Sequence, residues 1–334
     1  METMVFYIEN RKTDPYYNLA LEQLVFDTFD RSYSYFMLWQ NHNSVIVGKN
    51  QNTAAEINTS FINEHKINVV RRLSGGGAVY HDLGNLNYTF ITDADRKDTL
   101  DFKTFCEPVQ KALVSFGVPA VISGRNDMTV EGKKISGNAQ YIKQGRVMHH
   151  GTLLYDSNLD ILSKALNAAD DKILSKGIKS VKSRVANIKP YMNTGMSAEE
   201  FWAALKKYLF AASDMKEYSL SAGEEAQAEK LKEEVYSQWS WNYGASPPCN
   251  ISKKRRIEGC GTIDVLLDVG KEGVIKNIAF YGDFFGNDDL RELAEILQGH
   301  HFEYGELEDI IKEIDLSRFF YNLDAKSFLA LLFE

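Results

Sequence analysis

Hydrophobic and polar positions alternate in a readable order along this chain. Asp14-Pro15 has the form of an N-cap followed by proline at the first helical position, and Tyr17, Leu21, Leu24, Val25 and Phe29 then fall on one helical face. Phe36–Trp39 and Val45–Gly48 read as a short strand pair, Thr59–His65 as a helix and Ile67–Arg72 as a further strand. Strand-like pieces recur at Ala78–His81, Leu86–Thr92, Asp127–Val130, Lys134–Ser136 and Val147–Tyr155, interrupted by a helix over Phe102–Phe116. After Tyr155 the chain turns helical. Ser197 and Glu200 form a capping box, and Phe201, Ala204, Leu205, Tyr208 and Leu209 supply the stripe behind it. A more polar helix is expected over Glu224–Tyr236.

Asn242–Asn250 (NYGASPPCN) is the strongest boundary, because consecutive prolines forbid both helix interior and central strand. Beyond it, Gly261–Asp268 and Val274–Tyr281 flank a Gly-Lys-Glu-Gly turn as a hairpin, and three short helices follow. The expected architecture is α+β. A mixed-sheet domain flanked by helices covers residues 1–246, residues 242–250 link, and a small α+β domain covers 251–334.

A length of 334 residues suits two domains, and 44% hydrophobic with 25% charged residues is ordinary for a globular chain. The N-terminal METMVFYIEN lacks the basic flank and apolar run of a signal peptide, and no stretch of about 18 apolar residues occurs. No membrane association is therefore expected. Three scattered cysteines make no disulfide framework, so a cytoplasmic location is expected. A net charge of −8 argues against nucleic-acid binding. Lys253-Lys254-Arg255-Arg256 is a local exception that a solvated strand edge explains as well as a phosphate patch does.

The candidate chemistry lies in two runs. In Arg71–Asn85 (RRLSGGGAVYHDLGN), three glycines after a strand either make a flexible turn or let backbone N–H groups form an anion site. Strand alternation sends Arg71 and Arg72 to opposite faces. One should serve a pocket, where a guanidinium suits phosphate, and the other should be a surface charge. The second run is SGRNDMTVEGKKISGNAQ followed by HHGTLL, within Ser123–Leu154. Here Lys134 is expected to share a face with Ser136, with Lys133 opposite. Asn126-Asp127 is either a turn or a hard-cation ligand. His149 and His150 diverge on a strand and make no metal pair, and no Cys/His zinc spacing or nucleophile elbow occurs.

These runs, in this order, resemble the lipoate–protein ligase A family. Its pattern is approximately RRxxGGGxVxHDxGN, then Lys before hydrophobic-Ser-Gly-Ser/Asn-Ala, then HHGTLL. The similarity continues through GIKSVKSRVANI (Gly177–Ile188), WSWNYG (Trp239–Gly244) and the C-terminal region. Tyr80 stands where many members have Phe, and Asn138 where many have Ser. The resemblance implies a catalytic fold shared with biotin ligases and octanoyltransferases. It implies ATP and Mg²⁺ as cofactors and lipoate as substrate, activated to lipoyl-AMP. The implied acceptors are lysines on lipoyl domains of 2-oxoacid dehydrogenase complexes or on glycine cleavage H protein.

By motif position, Lys134 is the implied catalytic residue, touching both carboxylate and α-phosphate. Implied substrate and ATP contacts are Arg72, Ser74, Gly75, Gly76, Gly77, Ala78, Val79, Tyr80 and His81. The second run adds Asn126, Asp127, Ser136, Gly137, His150 and Thr152, with Asp127 as the metal ligand. Lys182 and Arg184 would belong to a loop ordered over the adenylate. An octanoyl- or lipoyl-transferase of the same fold is the nearest alternative. Comparable enzymes use a cysteine after the HGT strand, and no cysteine lies here between Cys106 and Cys249. A non-catalytic lipoate-binding protein is the other alternative, against which intact Arg72 and Lys134 argue.

Overall fold

The structure is a computed structural model and describes residues 4–93, 101–124, 126–166, 184–212, 215–244, 251–270 and 273–333. In chain order the large domain runs β1 (Val5–Glu9), α1 (Pro15–Thr28), β2 (Ser34–Trp39), β3 (Ser44–Val47), α2 (Thr53–Glu56), α3 (Thr59–Glu64), β4 (Asn68–Arg71), β5 (Val79–His81) and β6 (Asn85–Asp93). It continues with α4 (Phe102–Ser115), β7 (Val121–Ser123), β8 (Asp127–Val130), β9 (Lys133–Lys143), β10 (Arg146–Leu154), α5 (Leu159–Ala165), α6 (Ala198–Ala212), β11 (Met215–Tyr218), α7 (Ala222–Leu231) and α8 (Trp239–Tyr243).

A mixed sheet in the order β11-β1-β2-β6-β10-β9-β8-β7 forms the frame. Both its faces are covered, which is why SYFMLW in β2 reads as an almost unbroken apolar run. Phe36 and Leu38 face a core shared with α4 and α6, where Val109, Leu113, Phe201 and Trp202 are buried. Met37 and Trp39 face the opposite core, built on Leu21 and Val25 of α1. We call the α1 side the front face. Asp14 caps α1 through a bond from Tyr16 N (2.9 Å), and Ser197 and Glu200 cap α6 as the sequence predicts.

A second sheet, β4-β3-β5, carries the glycine-rich run between β4 and β5. Here one expectation is overturned: β2 and β3 are not a strand pair. β2 pairs with β1 and β6 in the large sheet, whereas β3 pairs with β4 and β5. Asn41 explains the break. Its buried side chain accepts from Asn18 and bonds His81, so the connection turns away from the large sheet.

The small domain, which we propose begins at Ile251, has the antiparallel sheet β12 (Ile251–Ile257), β13 (Gly261–Val269) and β14 (Ile275–Gly282). Helices α9 (Leu290–Leu297), α10 (Tyr304–Lys312) and α11 (Ala325–Phe333) cover it. Its own core includes Val265, Leu267, Phe280, Leu297, Leu307 and Phe328. The proline pair lies outside the described residues. Asn242, placed at the start of the linker, instead sits in the last turn of α8. It is 3% exposed, donates to Tyr236 O and accepts from Arg71 N.

Arg71 corrects a second expectation, that of a surface charge. Its guanidinium is buried and donates to Gly48 O, Lys49 O, Gln51 O, Thr53 Oγ1, Trp241 O and Asn242 O. A segment with no partner strand for its carbonyls needs such a donor. Burial pushes the group down to about 10, so it stays cationic at neutral pH. Arg71→Met should destabilise the protein by at least about 2 kcal/mol, because several buried carbonyls lose their donor together. Urea unfolding with an unchanged m-value measures this, and a shift below about 0.5 kcal/mol contradicts the hub role.

Candidate active site

The glycine-rich loop leaves β4 and is shaped by Arg72. Arg72 is 6% exposed, its guanidinium donating from Nε to Ser74 Oγ (3.0 Å), from one terminal nitrogen to Ile46 O (3.1 Å), and from the other to Gly75 O (2.7 Å) and Gly77 O (2.8 Å). Four of its five N–H groups thus serve the chain rather than an open pocket. Burial lowers it to about 10, with the Glu22 carboxylate opposing that shift. Gly76 holds φ at 87°, a conformation that side chains disfavour.

A chain of buried polar groups continues from the loop. Ser74 Oγ bonds His150 Nε2 (2.6 Å), and His150 Nδ1 bonds Glu22 Oε1 (3.1 Å). Thr89 Oγ1 donates to Glu22 and accepts from Trp39 Nε1 (2.9 Å). Glu22, Thr89 and Trp39 are absent from the motif-based site. The available signal for Glu22 was a carboxylate within the apolar stretch NLALEQLVF of a capped helix, an expensive residue to bury without a partner. Lys49 was also missed. Its backbone N–H donates to Ser74 O (2.8 Å), and burial holds its ammonium below the ordinary value, opposed by Asp289 and Asp288.

The second run meets the loop across β9 and β10. Ala139 lies opposite His150 in the ladder, and Gly137 N donates to Thr152 Oγ1 (3.1 Å), so Gly137, Ala139, His150 and Thr152 share the front face. Lys134 joins them by a route that strand alternation does not give. A register shift between Met128 and Thr129 sets Ser136 opposite Met128 but Lys134 opposite Thr129. The Lys134 ammonium consequently lies against Gly137, 2.6 Å from where a Cβ there would stand, and pairs with Asp127 Oδ1 at 2.8 Å. Ser136 is on the other face, fully buried and accepting from Asn138 Nδ2. The expectation that Lys134 and Ser136 share a face is therefore wrong, and the bulge is the reason. Lys133 is exposed, as expected.

Other expected site residues are brought close only in part. Val79 packs toward the α1 core and Ala78 toward the small-sheet core. Tyr80 points into that small-sheet core, with its hydroxyl on Asn43 Oδ1 (3.0 Å). His81 is buried on Asn41, and burial pushes it down to about 3, so it is neutral. Asn126 spends its side chain on Asn138 O. Lys182 lies outside the described residues. Arg184 leads into a segment that lies beside Lys134: Val185 bridges it, and Ala186 N donates to Lys134 O (2.9 Å). His149 diverges from His150 as expected, stacking on Phe105 behind the sheet, where burial holds it well below the usual range.

The small domain reaches this site. Phe284 O accepts from Gly76 N (3.3 Å), Gly282 N donates to Asn50 O (2.7 Å), and the Phe285 ring packs on Phe102 and Ala139. Of the described cysteines, Cys106 is buried behind the sheet and pushed up to about 12, and Cys260 is buried in the small-domain core. Neither is an accessible nucleophile. Among the described residues, no helix is long and apolar enough to cross a membrane, and no group of three His, Cys, Asp or Glu could hold a metal by itself.

The family model of the lipoyl protein ligase A/B catalytic domain matches residues 14–210, and that of the bacterial lipoate protein ligase C-terminus matches 246–332. A lipoate–protein ligase of Bacillus subtilis strain 168 is 44% identical over 98% of this chain and 100% of its own length. Lipoate–protein ligase 1 of Staphylococcus aureus strain Mu50 is 42% identical over the same shares.

Three solved structures are also similar. P. falciparum LipL1 in complex with lipoate has a TM-score of 0.78 at 23% identity, covering 98% of this chain and 97% of its own. A bipartite lipoate protein ligase with its E2 lipoyl domain from Thermoplasma acidophilum has 0.66 at 28%, covering 75% and 100%. Lipoate-protein ligase A bound with ATP has 0.63 at 27%, covering 73% and 99%. This chain belongs to the lipoate–protein ligase family, and its reaction is ATP-dependent ligation of lipoate.

Two outcomes follow from the site. Lys134→Ala should lower adenylate formation by about 10²–10³-fold, the usual cost of removing a preorganised group that stabilises developing charge. Exposed Lys133→Ala should stay within about threefold, and equal losses in pyrophosphate exchange would show that the bulge does not select Lys134. Secondly, His81 is neutral in both folded and unfolded states above its ordinary value of 6.5. Below that value the unfolded chain takes a proton that the folded one refuses until about 3, so stability falls with acid. Between pH 6.5 and 5, His81→Asn should remove up to about 2 kcal/mol of that pH dependence. Urea titrations at both pH values that show parallel losses would contradict this.

Proposed function

We propose that Lys134 bridges two anions during activation: the lipoate carboxylate and the α-phosphate of ATP. The carboxylate oxygen attacks phosphorus, the bond to pyrophosphate breaks, and lipoyl-AMP results. A lysine amine of the acceptor then attacks the lipoyl carbonyl carbon, giving an amide and releasing AMP. The observation that carries this reading is the Lys134–Asp127 pair on the face shared with the glycine loop, flanked by Val185 and Ala186. A fixed cation where two negative charges converge is the main electrostatic aid such a reaction can use.

Asp127 suits Mg²⁺. Its buried Oδ1 has, among the described residues, no close donor besides the Lys134 ammonium, and magnesium is commonly held by one or two carboxylates plus substrate phosphates. Bound there, the ion would neutralise phosphate charge. The Thermoplasma acidophilum ligase described with its E2 lipoyl domain supports a lipoyl domain as acceptor. The acceptors we propose are lipoyl domains of 2-oxoacid dehydrogenase complexes or glycine cleavage H protein. The small domain, through Phe284 and Phe285, would exclude water during activation and withdraw before the acceptor enters.

Lipoate-dependent ATP–pyrophosphate exchange tests activation directly, and transfer to purified lipoyl domains and H protein tests the second step. A variant with Cys106 and Cys260 changed to Ala and Cys249 to Ser should keep most of both activities. Acyl-enzyme sensitive to hydroxylamine, seen by mass spectrometry, would instead mark a thioester transferase.

A further inference from the structure

Lys134 and Asp127 stand on the front face, but the contacts that fix their corner come from behind the sheet. Asn138 N and Asn138 Nδ2 both donate to Asn126 O (2.9 and 3.1 Å), and Asn126 Nδ2 donates to Asn138 O (2.6 Å). Asn138 Oδ1 in turn accepts from the hydroxyl of Tyr88, a fully buried residue of β6. Strand β10 lies between β6 and β9, so this bond has to cross it.

It crosses at Gly151. A Cβ there would fall 2.1 Å from Asn138 Oδ1 and 2.6 Å from the Tyr88 hydroxyl, distances no side chain tolerates. The glycine of HHGTLL thus leaves the gap through which Tyr88 reaches Asn138. The result is a continuous brace from β6 over β10 to β9, and on to Asn126 at the head of β8.

Asn126 immediately precedes Asp127, which lies opposite Gly137 where the Lys134 ammonium rests. The ladder alone holds this corner poorly, because the register shift between Met128 and Thr129 interrupts it one residue after Asp127. We propose that Asn138 is a positioning residue for the activation step: braced by Tyr88 and acting through Asn126, it fixes Asp127 and so aims the Lys134 ammonium. This rests on the adenylating role proposed above. A serine at this position would have no amide to bridge Tyr88 and Asn126 at once.

Full-length Asn138→Ala and Tyr88→Phe proteins, with fold checked by circular dichroism, decide the matter in lipoate-dependent pyrophosphate exchange. In both, kcat should fall at least about tenfold, the scale expected when a reacting group is misplaced by about an ångström. KM for lipoate should stay within about twofold, since ground-state binding of the chain is untouched. Lys133→Ala, exposed on the same strand and outside the brace, should keep kcat within about threefold.

If Asn138→Ala does not fold, Tyr88→Phe decides alone, because it removes one hydroxyl. Folded variants with wild-type kcat, a rise in KM at unchanged kcat, or an equal loss in Lys133→Ala would each overturn the proposal. A wild-type protein showing no exchange would overturn the adenylating role itself, a result distinct from any of these.

Discussion

The site depends on one buried cation, the Arg72 guanidinium. Three successive glycines cannot hold a conformation by themselves, since their backbones have the most freedom to lose on ordering. Arg72 supplies that order from below by donating to Ile46 O, Gly75 O and Gly77 O and to the Ser74 hydroxyl. With those carbonyls turned inward, Gly76 N–H is turned outward, toward the small domain. An unpaired guanidinium at that depth would be costly, and Glu22 is the carboxylate that compensates it through space. The polar chain Ser74–His150–Glu22–Thr89–Trp39 follows from the same need: each member satisfies a neighbour that cannot reach water.

The two halves of the site are held in different ways. The glycine loop is held by side chains from its own sheet. The Lys134–Asp127 corner is held by strand pairing that a bulge interrupts, and by Asn126 and Asn138 behind it. The small domain touches the loop through the Phe284 carbonyl and the Phe285 ring. A contact of two backbone bonds, Gly76–Phe284 and Gly282–Asn50, and one ring can seal a site and still separate, which suits a reaction that makes an anhydride away from water and then presents it to a protein.

Most elements were legible because their patterns are local. The Asp14-Pro15 cap, the Ser197–Glu200 box and the β13–β14 hairpin each depend on residues a few positions apart. What was not legible depended on pairing partners far away. Nothing in YFMLW says that β2 pairs β6 rather than β3, and β11, exposed and only four residues long, carries little signal. The loop and Lys134 were singled out from their motifs, yet two readings failed on three-dimensional grounds and one residue was not read at all. Arg71 was buried by the carbonyls of a distant loop and of α8. Ser136 was turned away from Lys134 by a bulge at Ile135, visible only in the pairing of β9 with β8. Glu22 was passed over because its partners, Thr89 and His150, come from distant strands.

The central claim is that Arg72 works by shaping the glycine loop. Amide hydrogen exchange in the substrate-free protein tests it directly, comparing wild type with Arg72→Lys at Gly75, Gly76 and Gly77. A lysine cannot hold three carbonyls and a hydroxyl in a planar fork. The account predicts that exchange at these amides accelerates at least about tenfold while protection in β2 and β6 is unchanged. Unchanged exchange across Gly75–Gly77 in a folded Arg72→Lys protein would contradict it.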